Sequence, residues 1–384
     1  MRLLLPLLAL GTGFFAGLLV GGGDGERRTH VSPAEPGPAP GQVGTGGGSA
    51  AGRPAPGAPG SPEPLPRLLA AVRERPKGPA AQKRLAAFVL ACRGRGADAI
   101  PELMRLLGGG GDVETQVRAG WIYQDGELKS YPTLRAACLE ALHAIPDSRA
   151  TDALREVLER TSSVEETYFI GRALRERGAS GWVGFVLDRA LGAEPRPILL
   201  PRRQEMVQLA AEVDPARTAA RMETESPRGE DARDPMVLAA GLETMPLDTA
   251  QATVARLLDD SAVTLRAKKR FLESFGSRSE PEALTTLREL LEAGTLSGEL
   301  RIDAAMRAVN SPGFWEDQRR YAEARARGDA GAAERSRARF RRRLEAARLV
   351  VDAAYGIEPG TSDDARARPA LRRLELLARL MERS

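Results

Sequence analysis

The side chains that carry out proton transfer, nucleophilic attack or metal binding are scarce in this chain. It holds two His, His30 and His143, and two Cys, Cys92 and Cys138. His is the usual acid–base group near neutral pH. His30 lies in a Gly- and Pro-rich stretch that cannot position it, and His143 lies in the helical run AACLEALHAI. A half-buried repeat residue is the expectation for His143. A structural zinc site takes four N or S ligands, and no such set is spaced for one here. Both Cys sit in apolar helical runs, where Cys is a small buried hydrophobe, and no disulfide is expected. The paired acids Glu165-Glu166, Asp259-Asp260 and Asp363-Asp364 fall at helix ends or in loops, where capping and the helix dipole account for them. No G-x-S-x-G, H-E-x-x-H, C-x-x-C or Walker A pattern is present. The four glycines at 108–111 lack the Lys-Ser/Thr that a phosphate loop places after them. The expectation is a protein that is not an enzyme and holds no cofactor and no metal.

Two groups of residues are better suited to contact than to catalysis. Aromatics are only 4% of the chain, yet Trp121, Tyr123 and Tyr131 gather in one segment. There WIYQ and ELKSY flank Asp125-Gly126, a two-residue hairpin signal. Trp and Tyr are favoured contact residues. A partner-contact hairpin and a hairpin folded back over a groove both fit. The second group is basic. Residues 319–348 hold 11 Arg against 4 acids, a local excess of +7 in a chain whose formal net charge is +4. Arg337, Arg341 and Arg342 are the candidate contacts within it. A solvated helix face, an acidic protein partner, lipid head groups and nucleic acid all remain open for this cluster. The Arg occupy several sides of the helix and Glu334 and Glu345 interrupt them, so nucleic acid is not the expected partner. Lys supplies five of the 56 basic residues, and Asn310 is the single Asn. That bias fits a G+C-rich coding sequence with Arg as a general surface residue.

The elements behind these groups are helical. From Pro66 onward apolar residues recur at i, i+3, i+4 and i+7. DALREVL at 152–158 and ALTTLRELL at 283–291 share one layout. Starts marked by Asp, Ser or Pro fall near 148, 179, 214, 246 and 279. A period near 33 with two helices per unit marks a stacked solenoid. Second helices fit between the starts at 164–178, 201–213, 234–245, 262–276 and 297–309, the 216–235 stretch being polar and partly loop-like. GADAIPELMRLL at 96–107 followed by LRAACLEALHAI resembles the short bacterial HEAT-like repeats, and SRATDALREVL and SEPEALTTLRELL fit more loosely. The resemblance covers about 66–310 and implies an all-α, right-handed α-solenoid that docks other proteins. The segment 108–132 is a small β-hairpin insertion in it. Residues 311–384 are Arg-rich C-terminal helices that cap its end, closing with the amphipathic PALRRLELLARLMERS.

Ahead of the repeats, Leu3 to Val20 carries no charge. Its 18 residues would reach about 27 Å as a helix, near the thickness of a bilayer core. No Ala-x-Ala cleavage site follows, so residues 1–22 read as an uncleaved signal anchor, a transmembrane segment. Residues 21–66 contain 13 Gly and 10 Pro, so a disordered linker is expected over 23–65. The sequence therefore predicts a single-pass inner-membrane protein, its bulk extracytoplasmic (periplasmic). It would be a tethered scaffold or adaptor that binds another protein, with the membrane met through residues 3–20. The alternative is a cytoplasm-facing adaptor whose Arg-rich helix binds anionic lipid or nucleic acid.

Overall fold

A computed structural model describes residues 65–74, 76–109, 112–115, 121, 123–124, 127–128, 130–192, 199–228, 235–296, 298–356 and 367–383. Helices α1 (Leu65–Glu74) and α2 (Pro79–Arg95) lead through a short 3₁₀ turn to α3 (Ile100–Gly108). A two-residue antiparallel pairing of β1 (Tyr123–Gln124) with β2 (Glu127–Leu128) follows, Tyr123 opposite Leu128 and Gln124 opposite Glu127. Then come α4 (Leu134–Ala144), α5 (Ser148–Arg160), α6 (Val164–Glu176), α7 (Val183–Gly192), α8 (Leu200–Val213) and α9 (Pro215–Glu225). The array continues with α10 (Pro235–Ala239), α11 (Gly241–Thr244), α12 (Leu247–Asp259), α13 (Leu265–Gly276), α14 (Pro281–Glu292) and α15 (Glu299–Val309). It closes with α16 (Gly313–Ala326), α17 (Ala330–Tyr355) and α18 (Arg368–Arg383).

First helices α5, α7, α9, α12 and α14 begin at 148, 183, 215, 247 and 281, at intervals of 35, 32, 32 and 34 residues. Second helices α4, α6, α8, α10–α11, α13 and α15 alternate with them and pack side by side as one layer. Each first helix buries a single stripe: in α5 it is Ala150, Ala153, Leu154, Val157 and Leu158. The second helices are buried more widely, as α4 is from Leu134 through Leu142 apart from Arg135. A donor-poor start is met by a side-chain cap at several elements. Thr133, Asp147, Ser163, Asp214 and Thr264 accept from free N–H groups of α4, α5, α6, α9 and α13. Each such cap is worth about 1 kcal/mol. The polar 216–235 stretch forms a full helix over its first part, because Thr218, Ala219 and Met222 fall on one buried side of α9.

The layers come close where a small residue allows it. A Cβ on Gly171 of α6 would lie 3.1 Å from Val186, 3.2 Å from Leu209 and 3.3 Å from Trp182. The core divides along the chain into two apolar clusters. One runs from Leu68 to Ala210 with Val237, the other from Ala211 to Leu377. They meet at α8.

Successive second helices are also tied to one another. The last carbonyls of any helix lack intrahelical partners, and at α4 and α11 an Arg of the following repeat supplies them. Arg177, one residue past α6, donates to the carbonyls of Leu142, His143 and Ile145 at 2.9, 2.7 and 2.6 Å, closing the end of α4. Thr244 of α11 donates to the Gln208 carbonyl of α8 at 2.9 Å. Arg278, just past α13, donates to the carbonyls of Leu242 and Met245 at 2.6 and 2.7 Å, closing α11. Ser311, past α15, donates to the Arg278 carbonyl at 3.4 Å.

Helix α17 packs across α14, α15 and α16, and α18 lies on α17 and α15 with Leu371, Leu374 and Leu377 buried. Arg343 of α17 is 3% exposed and donates from Nε to Asp317 of α16 at 3.2 Å. A Cβ on Gly313 would stand 2.1 Å from its guanidinium carbon, so only Gly leaves room there.

The reading of a single-pass inner-membrane protein with a transmembrane signal anchor is corrected. Among the described residues no helix is long and apolar enough to cross a membrane. The longest, α17, has 26 residues but carries seven Arg, and charge at that density does not enter hydrocarbon. The segment 1–22 on which that reading rested, and the linker expected over 23–65 apart from Leu65, which begins α1, lie outside the described residues.

Candidate functional site

The layer of second helices presents a polar surface that is stitched from helix to helix. Arg135 of α4 holds Glu166 of α6 through two oxygens, at 2.7 and 3.0 Å, while Thr161 donates to the same carboxylate at 2.6 Å. Burial works against the charge on Glu166, but these hydrogen bonds prevail and hold it below the ordinary carboxylate range. Arg202 of α8 reaches Glu165 of α6 at 2.8 Å, and Gln208 of α8 reaches Glu243 of α11 at 2.9 Å. Arg307 of α15 reaches Glu273 of α13 at 2.7 Å. Lys269 of α13 pairs with Glu299 and lies 3.8 Å from Asp303, both on α15.

Two places on this layer differ. At α6 and α8 Trp121 of the 108–132 insertion lies on it. Trp121 is half-buried, its ring 5.7 Å from that of Phe169. Arg202 donates to the Trp121 carbonyl at 3.2 Å, pairs also with Glu205, and lies 4.3 Å over the Tyr168 ring. At α13 and α15 the layer opens into a groove of about 460 Å³ lined by Leu265, Arg266, Lys269, Arg270, Glu273, Asp303 and Arg307 among others. Leu265 in its lining is 51% exposed, while Ile302 of α15, 46% exposed, lines a separate cavity with Ala354 and Tyr355 of α17.

The sequence-predicted contact residues fall in three places. Trp121 is on the second-helix layer. Tyr131 is half-buried at the N-terminal core, where its N–H donates to Gln82 of α2 at 2.9 Å and its carbonyl accepts from Gln82 and Thr115. Tyr123 lies in β1, and its side chain is outside the described residues. Arg337, Arg341 and Arg342 are all on α17, far along the chain from the aromatics, and Arg341 and Arg342 are exposed. Of these, Arg342 alone lines the trough between α16 and α17, together with Arg320, Arg327, Arg335 and Arg339.

The buried arginines are what sequence reasoning missed. Arg203, Arg278 and Arg343 are 8%, 6% and 3% exposed. An Arg-rich composition hides them among surface copies. A usable signal existed in the period. Arg177, Thr244, Arg278 and Ser311 each follow a second helix or end one, and they recur at the repeat spacing or twice it.

His143 and the two Cys take internal places. Nε2 of His143 lies 3.1 Å from Glu176, and its buried Nδ1 has no partner among the described residues. Burial holds the imidazole below its ordinary value, with Arg177 and Arg172 acting in the same direction and Glu176 opposing. Cys92 and Cys138 are buried and not bonded to each other, and burial pushes the Cys92 thiol up to about 12. Among the described residues no group of three or more His, Cys, Asp or Glu is placed to hold a metal ion.

The family model described as the PBS lyase HEAT-like repeat matches residues 134–160, which is α4, its turn and α5. No curated protein and no solved structure matches the chain.

Proposed function

We propose, from the premise that this is a HEAT-like repeat protein, that it is a scaffold holding another protein along its second-helix layer. In this reading the helix pairs of 66–310 stack as a right-handed solenoid with the second helices on the concave side. Residues 311–384 cap its end. The observation that carries the proposal is the α13–α15 groove. It combines exposed Leu265 with charges of both signs from α13 and α15, several of them paired across the groove. Interfaces pair an apolar centre with a polar rim in this way. The 108–132 insertion covers the layer at α6 and α8 through Trp121, so docking falls toward α10–α15.

The test is a photo-crosslinking residue placed in the full chain at position 265, in the groove, or at exposed Ala252 on the first helix α12. Adducts with one and the same protein from position 265, and none from 252, are the expected result. Equal labelling from both positions would overturn the assignment of the face.

A further inference from the structure

We propose that the trough between α16 and α17 is a second contact site, built to grip an acidic peptide segment of a partner protein. It is independent of docking along the second-helix layer. The trough has a volume of about 440 Å³, and five of its lining residues are Arg320, Arg327, Arg335, Arg339 and Arg342, against one acid, Glu323. Little of this charge is used within the fold. Arg320 is 3.7 Å from Glu316, and Arg339 is 3.5 Å from Asp317. Glu323 is itself turned to Arg319, at 3.7 Å. Arg327, Arg335 and Arg342 have no acidic partner among the described residues. Asp317 is engaged on its other oxygen by buried Arg343. That pair fixes α17 against α16 and so fixes the distance between the two rows of guanidinium groups.

The geometry selects the class of ligand. On α17, positions 335, 339 and 342 rise along one stripe by roughly 6 and 4.5 Å, and position 320 of α16 stands roughly 10.5 Å from Arg327, which caps the end of that helix, at 1.5 Å per residue. Alternate side chains of an extended peptide recur at about 6.6 Å, close to the step of roughly 6 Å from position 335 to 339, and the flexible Arg stems take up the shorter step to 342. Guanidinium groups bind carboxylates through two parallel hydrogen bonds. Packed helices have axes about 8–10 Å apart, so the trough admits one polypeptide strand and no duplex. Single-stranded nucleic acid is held by aromatic stacking platforms as well as charge, and the lining between the Arg is Ala and Ser. A lipid surface is met by a projecting basic face, whereas these groups line a recess.

The probe is a fluorescein-labelled hexaglutamate peptide, titrated with the full-length protein by fluorescence anisotropy at low salt. Arg335 and Arg342 are exposed, so R335E/R342E keeps the fold, which a thermal melt confirms. R155E/R160E on α5 makes the same change in net charge elsewhere. The expected result is binding by the wild type, a loss of at least tenfold in R335E/R342E, and less than twofold in R155E/R160E. The proposal is overturned if the wild type does not bind, or if both double variants lose affinity equally. It is also overturned if an oligothymidylate or vesicles containing phosphatidylserine are bound more tightly than the peptide. Crosslinking from position 265 is unaffected by any of these outcomes, so the two readings fail separately.

Discussion

A guanidinium group is more weakly hydrated than an ammonium and carries five fixed donors, which suits it to closing a buried helix end. Arg278 fills that role at α11. It is 6% exposed and donates to two carbonyls at the end of that helix. Arg278→Ala leaves those acceptors buried and unpaired, a loss of about 2–3 kcal/mol. The check is the urea midpoint, and a variant within experimental error of wild type would refute the clamp. Arg278→Lys recovers only part of the loss, since one ammonium cannot span both carbonyls and Glu280, whose carboxylate the guanidinium also meets at 2.6 Å. His143 sets a pH dependence. Its folded-state value is depressed by burial, so the unfolded chain takes up the proton first. Its contribution is complete above the ordinary value of about 6.5 and is lost as pH falls from there through the folded value. Stability should decline between pH 7 and 5, and His143→Phe should flatten that part of the curve. Glu166, also depressed, contributes fully above the ordinary carboxylate range, and that contribution is lost only as pH falls below it. At this scale the sequence was half legible. The half-buried place of His143 and the burial of both Cys could be read from residue types and their runs. Which Arg are buried could not, because that depends on where a neighbouring helix ends, about 33 residues away.

Helices were the legible scale, since each must bury one stripe and start with a cap, and both leave marks in residue order. The starts expected at 148, 214, 246 and 279 lie within two residues of α5, α9, α12 and α14, while the one at 179 precedes α7 by four. That gap is the turn in which Gly181 adopts φ 83° and Trp182 buries its ring beneath α6. The polar 216–235 stretch obscured the extent of α9, though not its start, because the buried side of that helix is built of Thr, Ala and Met with no Leu. Caps supply an element-scale test. Thr264→Ala removes the acceptor for the Ala267 N–H of α13 and should cost about 1 kcal/mol. Thr264→Ser should restore the cap, and the urea midpoints of the two variants decide it. The closing element carries more. Leu374 of α18 is 6% exposed and faces a core shared with α17. Leu374→Ala should cost about 2–4 kcal/mol. If α18 were instead a loosely held appendage, the substitution would change neither the urea midpoint nor the hydrogen exchange of α17.

A stack of repeats is held by nearest neighbours, so its stability is a sum of local and interface terms and not one global quantity. The two apolar clusters express this. Ala210 belongs to one and Ala211 to the other, and α8 is the place where they join. A lesion at one end should therefore be felt at that end first. Leu103 of α3 is fully buried in the N-terminal cluster, and Leu103→Ala should remove about 3–4 kcal/mol of packing there. In intermediate urea, amides of α2 to α6 in this variant should lose hydrogen-exchange protection while α12 to α17 keep theirs. The clamps set the reach of the effect. Arg177 ties α6 to α4 and lies within the N-terminal cluster's helices, whereas Thr244 and Arg278 tie α8, α11 and α13 across and beyond the junction. Adding Arg278→Ala to Leu103→Ala should move the boundary of lost protection only slightly, since the two sites share no neighbour and their effects add. Adding a lesion in α8 itself, Met206→Ala, should carry the loss across the junction, because that side chain is fully buried at the place both clusters share. Simultaneous loss of protection over the whole array in the Leu103→Ala variant would show a single cooperative unit and would refute the serial core.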